Sequence, residues 1–70
     1  MEIHLPKRLR ELIIAYAEND MNRAATARAY KVTSATIWHR FNQIESMTGL
    51  DPRRFYDMVE LVKAIEEQSQ

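Results

Sequence analysis

Residues 22–41 read NRAATARAYKVTSATIWHRF, and the fold turns on how this stretch is divided. The Ala-rich segment 23–30 has helical composition, and Asn22 ahead of it has a side chain suited to accept from free N–H groups at a helix start. Lys31 and Val32 interrupt the segment, and Thr33 and Ser34 then offer hydroxyls that can cap a second helix beginning SATIWHRF. Two helices joined by so short a turn cross steeply, as in a helix-turn-helix. Ala27 falls where the first helix presses on the second, and Val32 and Ile37 point inward on either side of the turn. The same spacing also fits an ordinary αα-corner in a small bundle, and fold alone does not fix function.

Working outward, residues 6–19 carry Leu9, Leu12, Ile13, Tyr16 and Ala17 at helical spacing on one face, with Pro6 suited to a helix's first turn. Residues 19–22, Asn-Asp-Met-Asn, tolerate turn geometry and end that helix. The third helix is expected over 34–48, with Ile37, Phe41, Ile44 and Met47 as its buried stripe and Gly49 as its stop. Asp51 then reads as a cap and Pro52 as the first position of a fourth helix, 52–67. Residues 1–5 are expected to form a frayed arm and the EEQSQ ending a frayed tail. The expectation is an all-α, single domain over 1–70 with four helices at about 6–19, 23–30, 34–48 and 52–67.

Seventy residues leave a marginal core, because a chain this short buries only roughly 60% of its unfolded surface. Phe55, Met58, Val62 and Ile65, spaced three, four and three apart, read as one seam of a coiled coil, and Val59 widens it. A homodimer interface is therefore expected at Phe55, Met58, Val59, Val62 and Ile65. With no cysteine there is neither a disulfide nor a thiolate metal site, which fits a cytoplasmic setting. No apolar run approaches the ~18 residues of a membrane span. A Gly-rich phosphate loop and a metal-spaced cluster are missing too, and the two histidines, His4 and His39, lie far apart, so neither enzyme activity nor a cofactor or metal is expected.

Ten basic and ten acidic residues give zero net charge, unlike the basic balance usual for nucleic-acid binders. The charge is unevenly placed. Residues 1–33 hold six cations against four acids, whereas residues 51–70 hold three against five, so acidity collects away from the helix-turn-helix. In a DNA-reading unit the second helix of the pair enters the major groove. On the N-terminal half of 34–48, Ser34, Ala35, Thr36, Trp38, His39 and Arg40 are the residues that would face it, with Thr33 at the cap. Their short side chains allow close approach, and hydroxyls and a methyl group can meet base edges or thymine methyls. Arg23, Arg28 and Lys31 would hold phosphates. Lys31 occupies the turn position where φ is often positive and glycine is usual. The competing reading is a protein-interaction module on the same scaffold, with Trp38 or the fourth helix as the contact and no direct DNA binding.

The run TIWHRFNQIESMTGLD, residues 36–51, resembles the C-terminal helix-turn-helix domain of PucR-type regulators, bacterial transcription factors of purine and sugar-acid catabolism. Thr36, Arg40, Ile44, Glu45, Thr48, Gly49 and Asp51 match that family's stretch, and Ile37 and Phe41 are conservative replacements. The segment NRAATARAYKVT resembles the family's first reading-unit helix and also that of Fis-type domains. Lys31 replaces a common small turn residue, Ser34 and Trp38 stand where arginine is frequent, and His39 stands where tyrosine is. The resemblance implies a compact helical domain that binds double-stranded DNA, usually within a larger dimeric regulator, through the stretch holding Thr33, Ser34, Thr36, Trp38, His39 and Arg40.

Overall fold

The computed structural model describes residues 3–68. Four helices follow in order: α1 (Lys7–Glu18), α2 (Arg23–Tyr30), α3 (Ser34–Thr48) and α4 (Phe55–Gln68). α1 packs on α4 and on α2, and α2 packs on α3. The all-α expectation holds, as does the division of residues 22–41 into two helices around a turn.

Local capping explains where α2 and α3 begin and where the first three helices end. The Asn22 side chain accepts from Ala25 N at 2.9 Å, opening α2. Thr33 Oγ1 accepts from Thr36 N at 3.1 Å, opening α3. α2 closes with a pair of reversed bonds, Lys31 N to Arg28 O at 3.2 Å and Val32 N to Ala27 O at 3.0 Å. This is the Schellman arrangement, and it places Lys31 in the left-handed region at φ 56°, ψ 43°. α1 ends the same way, with Asp20 N to Ala17 O and Met21 N to Tyr16 O, and both Asp20 and Met21 have positive φ. Gly49, φ 78°, closes α3 with a single bond to Glu45 O at 2.8 Å.

An L-residue held left-handed costs about 1–2 kcal/mol, which glycine avoids, while glycine's freer unfolded state offsets part of that gain. Lys31→Gly should therefore raise stability by about 1 kcal/mol, a Tm increase of roughly 4–8 °C in a domain this small. An unchanged or lower Tm would mean that the Lys31 side chain holds the turn in a way that its backbone angles do not explain.

The core is a single cluster drawn from all four helices. Leu9, Leu12, Ile13 and Tyr16 of α1 meet Ile37, Phe41 and Ile44 of α3 and Met58, Leu61 and Ile65 of α4, with Ala27 closing from α2. Fully burying an aliphatic or aromatic side chain of this size contributes about 1.5–3 kcal/mol. Thr26, the one buried polar residue among the described residues, donates its hydroxyl to Asn22 O at 2.8 Å. Among the described residues no buried side-chain polar atom lacks a partner.

Five sequence expectations need correction. α4 begins at Phe55, three residues later than expected. Asp51 does not cap it. Its carboxylate turns back on Arg53 N at 3.0 Å, Arg54 N bonds Asp51 O, and Met58 N to Arg54 O is the first bond of the helix. Pro52 is fully buried in this turn. Met47 is 54% exposed, because the buried face of α3 runs Ile37, Phe41, Ile44 and continues into the half-buried Thr48, a four-three-four spacing that Met47 misses. Residues 3–5 are docked, not frayed: Leu5 is buried, Ile3 packs on the core, and Arg10 Nη1 donates to Leu5 O at 2.7 Å. The first three residues of the EEQSQ ending belong to α4, and the outer residues of both termini lie outside the described range.

Candidate nucleic-acid interface

The N-terminal half of α3 presents one side of the α2–α3 pair to solvent. Ala35 and His39 are exposed, as are Thr33 at the cap and Lys31 in the turn. Ser34, Thr36 and Arg40 are half-buried along its edges. The Thr33 and Thr36 hydroxyls lie 3.0 Å apart and are hydrogen-bonded to each other, so the helix start presents two pre-oriented oxygens. Arg23 at the start of α2 and Arg28 near its end are exposed. Arg28, Lys31 and Arg40 take part in none of the ion pairs found among the described residues.

Trp38 is half-buried at the seam between this surface and the core. Its ring lies 5.4 Å from Phe41 and 6.5 Å, edge-on, from Tyr16, and Tyr16 stands edge-on to Phe41 at 4.8 Å. Two guanidinium groups approach the indole: Arg23 at 4.5 Å from the ring centroid and Arg53 at 5.4 Å. Both distances are within the range of cation–π attraction. Arg23 thus comes from α2 and Arg53 from the α3–α4 turn to one aromatic platform on α3. Burial raises the Tyr16 phenol pKa above its usual value, partly opposed by these same two cations.

Arg53 carries no sign of this role in the sequence, and nothing local to it provides one. Its Nε donates to Asp51 Oδ1 at 2.7 Å and its Nη2 reaches Glu45 Oε1 at 3.4 Å, eight positions back on α3. Partial burial pushes the Asp51 carboxyl up, but hydrogen bonds from the Arg53 side chain and backbone outweigh it and hold its pKa below the usual carboxylate value. The rest of this corner is equally well tied. Thr48 Oγ1 donates to Ile44 O at 2.7 Å and accepts from Leu50 N at 3.0 Å, and Asp51 N donates to Asp57 Oδ2 at 3.0 Å. Glu45, Thr48, Gly49 and Asp51 therefore form a corner that sets α4 against α3 and places Arg53 under Trp38.

The five residues expected to form a dimer seam do not share one surface. Met58 and Ile65 are buried in the core of their own chain, because the face α4 turns inward runs Met58, Leu61, Ile65 and leaves Phe55 outside it. Phe55 is 63% and Val59 39% exposed, and Val62 is half-buried. Among the described residues no group of His, Cys, Asp or Glu could hold a metal ion, and no helix is long and apolar enough to cross a membrane.

Capped α2, a three-residue turn, and a capped α3 that follows the turn define a helix-turn-helix domain. The chain belongs to the PucR C-terminal helix-turn-helix domain family, whose sequence model matches residues 9–66. Comparison with curated proteins and with solved structures finds no match.

Proposed function

We infer that this domain binds double-stranded DNA in a sequence-specific manner, as the DNA-binding part of a bacterial transcriptional regulator working as a homodimer. The observation that carries the reading is the surface of residues 31–40: a left-handed turn bearing a cation, paired threonine hydroxyls at the start of α3, and short or polar side chains along its exposed half. Family membership supports the same reading. In it α3 enters the major groove, and Ser34, Ala35, Thr36 and His39 meet base edges. Arg23, Arg28, Lys31 and Arg40 neutralise phosphates and set the register, with Thr33 at the groove wall. Trp38 works indirectly, holding the Arg23 guanidinium in place. Two copies would place their α3 helices in major grooves about 34 Å apart, or a multiple of that.

Phosphate contacts have a direct signature, because each one releases counterions and adds about 0.9 to the slope of log K against log salt. Fluorescence anisotropy of a labelled duplex, titrated at several salt concentrations, should give a linear fall equivalent to a few contacts. In Arg40→Ala the affinity should drop for every duplex and the slope should lessen by about 0.9. An Arg40→Ala protein with unaltered affinity and slope would remove Arg40 from the contact set.

The protein-interaction reading keeps one specific support, the apolar side chains that α4 exposes at Phe55, Tyr56 and Val59. Trp38, its other suggested contact, is half-buried beneath Arg23.

A further inference from the structure

The exposed face of α3 does not stop at Arg40. Ala35, His39, Asn42 and Ser46 follow a four-three-four spacing, so they share one helix face, and all four are exposed. At 1.5 Å per residue the stripe runs about 16 Å along the axis. None of the four is a carboxylate, a lysine or an arginine. The only carboxylate of α3, Glu45, lies on the flank that carries Trp38, where Arg53 Nη2 donates to it at 3.4 Å. Among the described residues the side-chain amide of Asn42 and the hydroxyl of Ser46 have no hydrogen-bond partner.

A stripe of neutral hydrogen-bonding groups suits base edges, whereas phosphate oxygens call for cations. The cations stand beside the stripe. Lys31 and Arg40 accompany its first half. Beside its second half lies Arg8, brought there from the first turn of α1: Arg8 and Leu9 face Gln43, Ser46 and Met47 across a groove of about 290 Å³. Arg8 is exposed and forms no ion pair among the described residues, whereas its neighbour Lys7 lies 3.7 Å from Glu11.

We propose that the reading face continues through Asn42, whose side-chain amide reads an adenine, and that Arg8 holds a phosphate alongside it. The asparagine amide sets an acceptor and a two-proton donor in one plane, which matches the N6–H donor and N7 acceptor that adenine shows in the major groove. Asn42 lies about 4.5 Å farther along the axis than His39, comparable with the ~3.4 Å between successive base pairs. Its adenine is therefore in the base pair next to the one that His39 meets. Ser46, with its short side chain, keeps the end of the stripe from standing off the groove. The inference rests on DNA binding through α3 as inferred above, and adds to it a base preference and a contact from α1.

Duplexes selected from a randomised pool by the wild-type domain should share an adenine that Asn42→Ala no longer selects, with preferences at other positions unchanged. On one selected duplex, followed by anisotropy, Asn42→Ala should lower affinity about tenfold. Replacing that adenine by 7-deazaadenine, which removes N7 and keeps the base pair, should weaken the wild type and cost the Asn42→Ala variant nothing more. Arg8→Ala should weaken every duplex alike and lessen the salt slope by about 0.9. Both residues are exposed on helices, so circular dichroism should report intact folding in each variant. An Asn42→Ala protein that selects the same bases, or that loses as much to 7-deazaadenine as the wild type does, would overturn the adenine contact while DNA binding itself stands. An unaltered slope in Arg8→Ala would remove the phosphate contact in the same way. A wild-type domain that binds no duplex even at low salt would overturn this inference and the DNA-binding reading together.

Discussion

Phe41→Ala should leave the domain largely unfolded at room temperature. The ring is fully buried where three helices meet, and it contacts Tyr16 edge-on at 4.8 Å and Trp38 at 5.4 Å. Truncating a buried phenylalanine costs about 3–5 kcal/mol, from lost transfer energy and from the cavity left behind. A chain below roughly 70–80 residues rarely has more than about 3–5 kcal/mol of stability from one core. The loss therefore equals the whole of what is available. Far-UV circular dichroism should show the helical signal collapse, and Trp38 emission should move to the red as its platform disperses. A cooperative melt within a few degrees of the wild type would show that the helices are not organised around Phe41.

Ala35→Glu should do the reverse, abolishing DNA binding while leaving the fold as stable or more so. Ala35 is exposed in the first turn of α3, a turn that has no acidic residue. A carboxylate there meets the positive end of the helix dipole and should add about 0.3–1 kcal/mol to stability. In the major groove the same carboxylate faces a wall of phosphates and replaces a methyl group that permits close approach. Like charges juxtaposed at an interface cost several kcal/mol, on the order of a 100-fold loss of affinity. Anisotropy and thermal melting on one sample separate the two effects. Lower affinity with an equal or higher Tm is the expected pair of results. Undiminished binding would move the DNA contact off the start of α3.

The parts of the fold that were legible in the sequence are the ones set by near neighbours. Asn22 and Thr33 cap helices through bonds to backbone three residues on, and the geometry that makes them caps is written in their own side chains. Gly49 stops α3 and Lys31 takes the left-handed turn for equally local reasons. Asp51 misled because the local signal, an aspartate before a proline, is shared by helix caps and tight turns. Its carboxylate is drawn instead to Arg53. Met47 and Thr48 were exchanged because a 3.6-residue period leaves the fourth turn of a stripe ambiguous by one position, and the hydrophobic residue was preferred. Thr48 enters the stripe because its hydroxyl is satisfied by Ile44 O.

Arg53 shows what a single sequence does not reveal. Its partners, Glu45 and the Trp38 ring, are brought to it by the α3–α4 corner and not by proximity in the chain. The run that carries the family resemblance is similarly double in meaning. Its first part, around Thr36 and Arg40, lies on the exposed half of α3, whereas Glu45, Thr48, Gly49 and Asp51 are hydrogen-bonded into the corner. The seam on α4 was misjudged for the same reason. Phe55, Met58, Val62 and Ile65 are regularly spaced, yet Met58 and Ile65 serve the chain's own core and only the neighbouring stripe is left outside.

The most direct test of the central claim is a backbone amide NMR titration of the domain with a short duplex at low salt. The account predicts that the perturbed amides cluster at residues 31–40 and at Arg23, and that they fade together as salt is raised. Absence of any perturbation at low salt, or perturbations confined to α4, would contradict it.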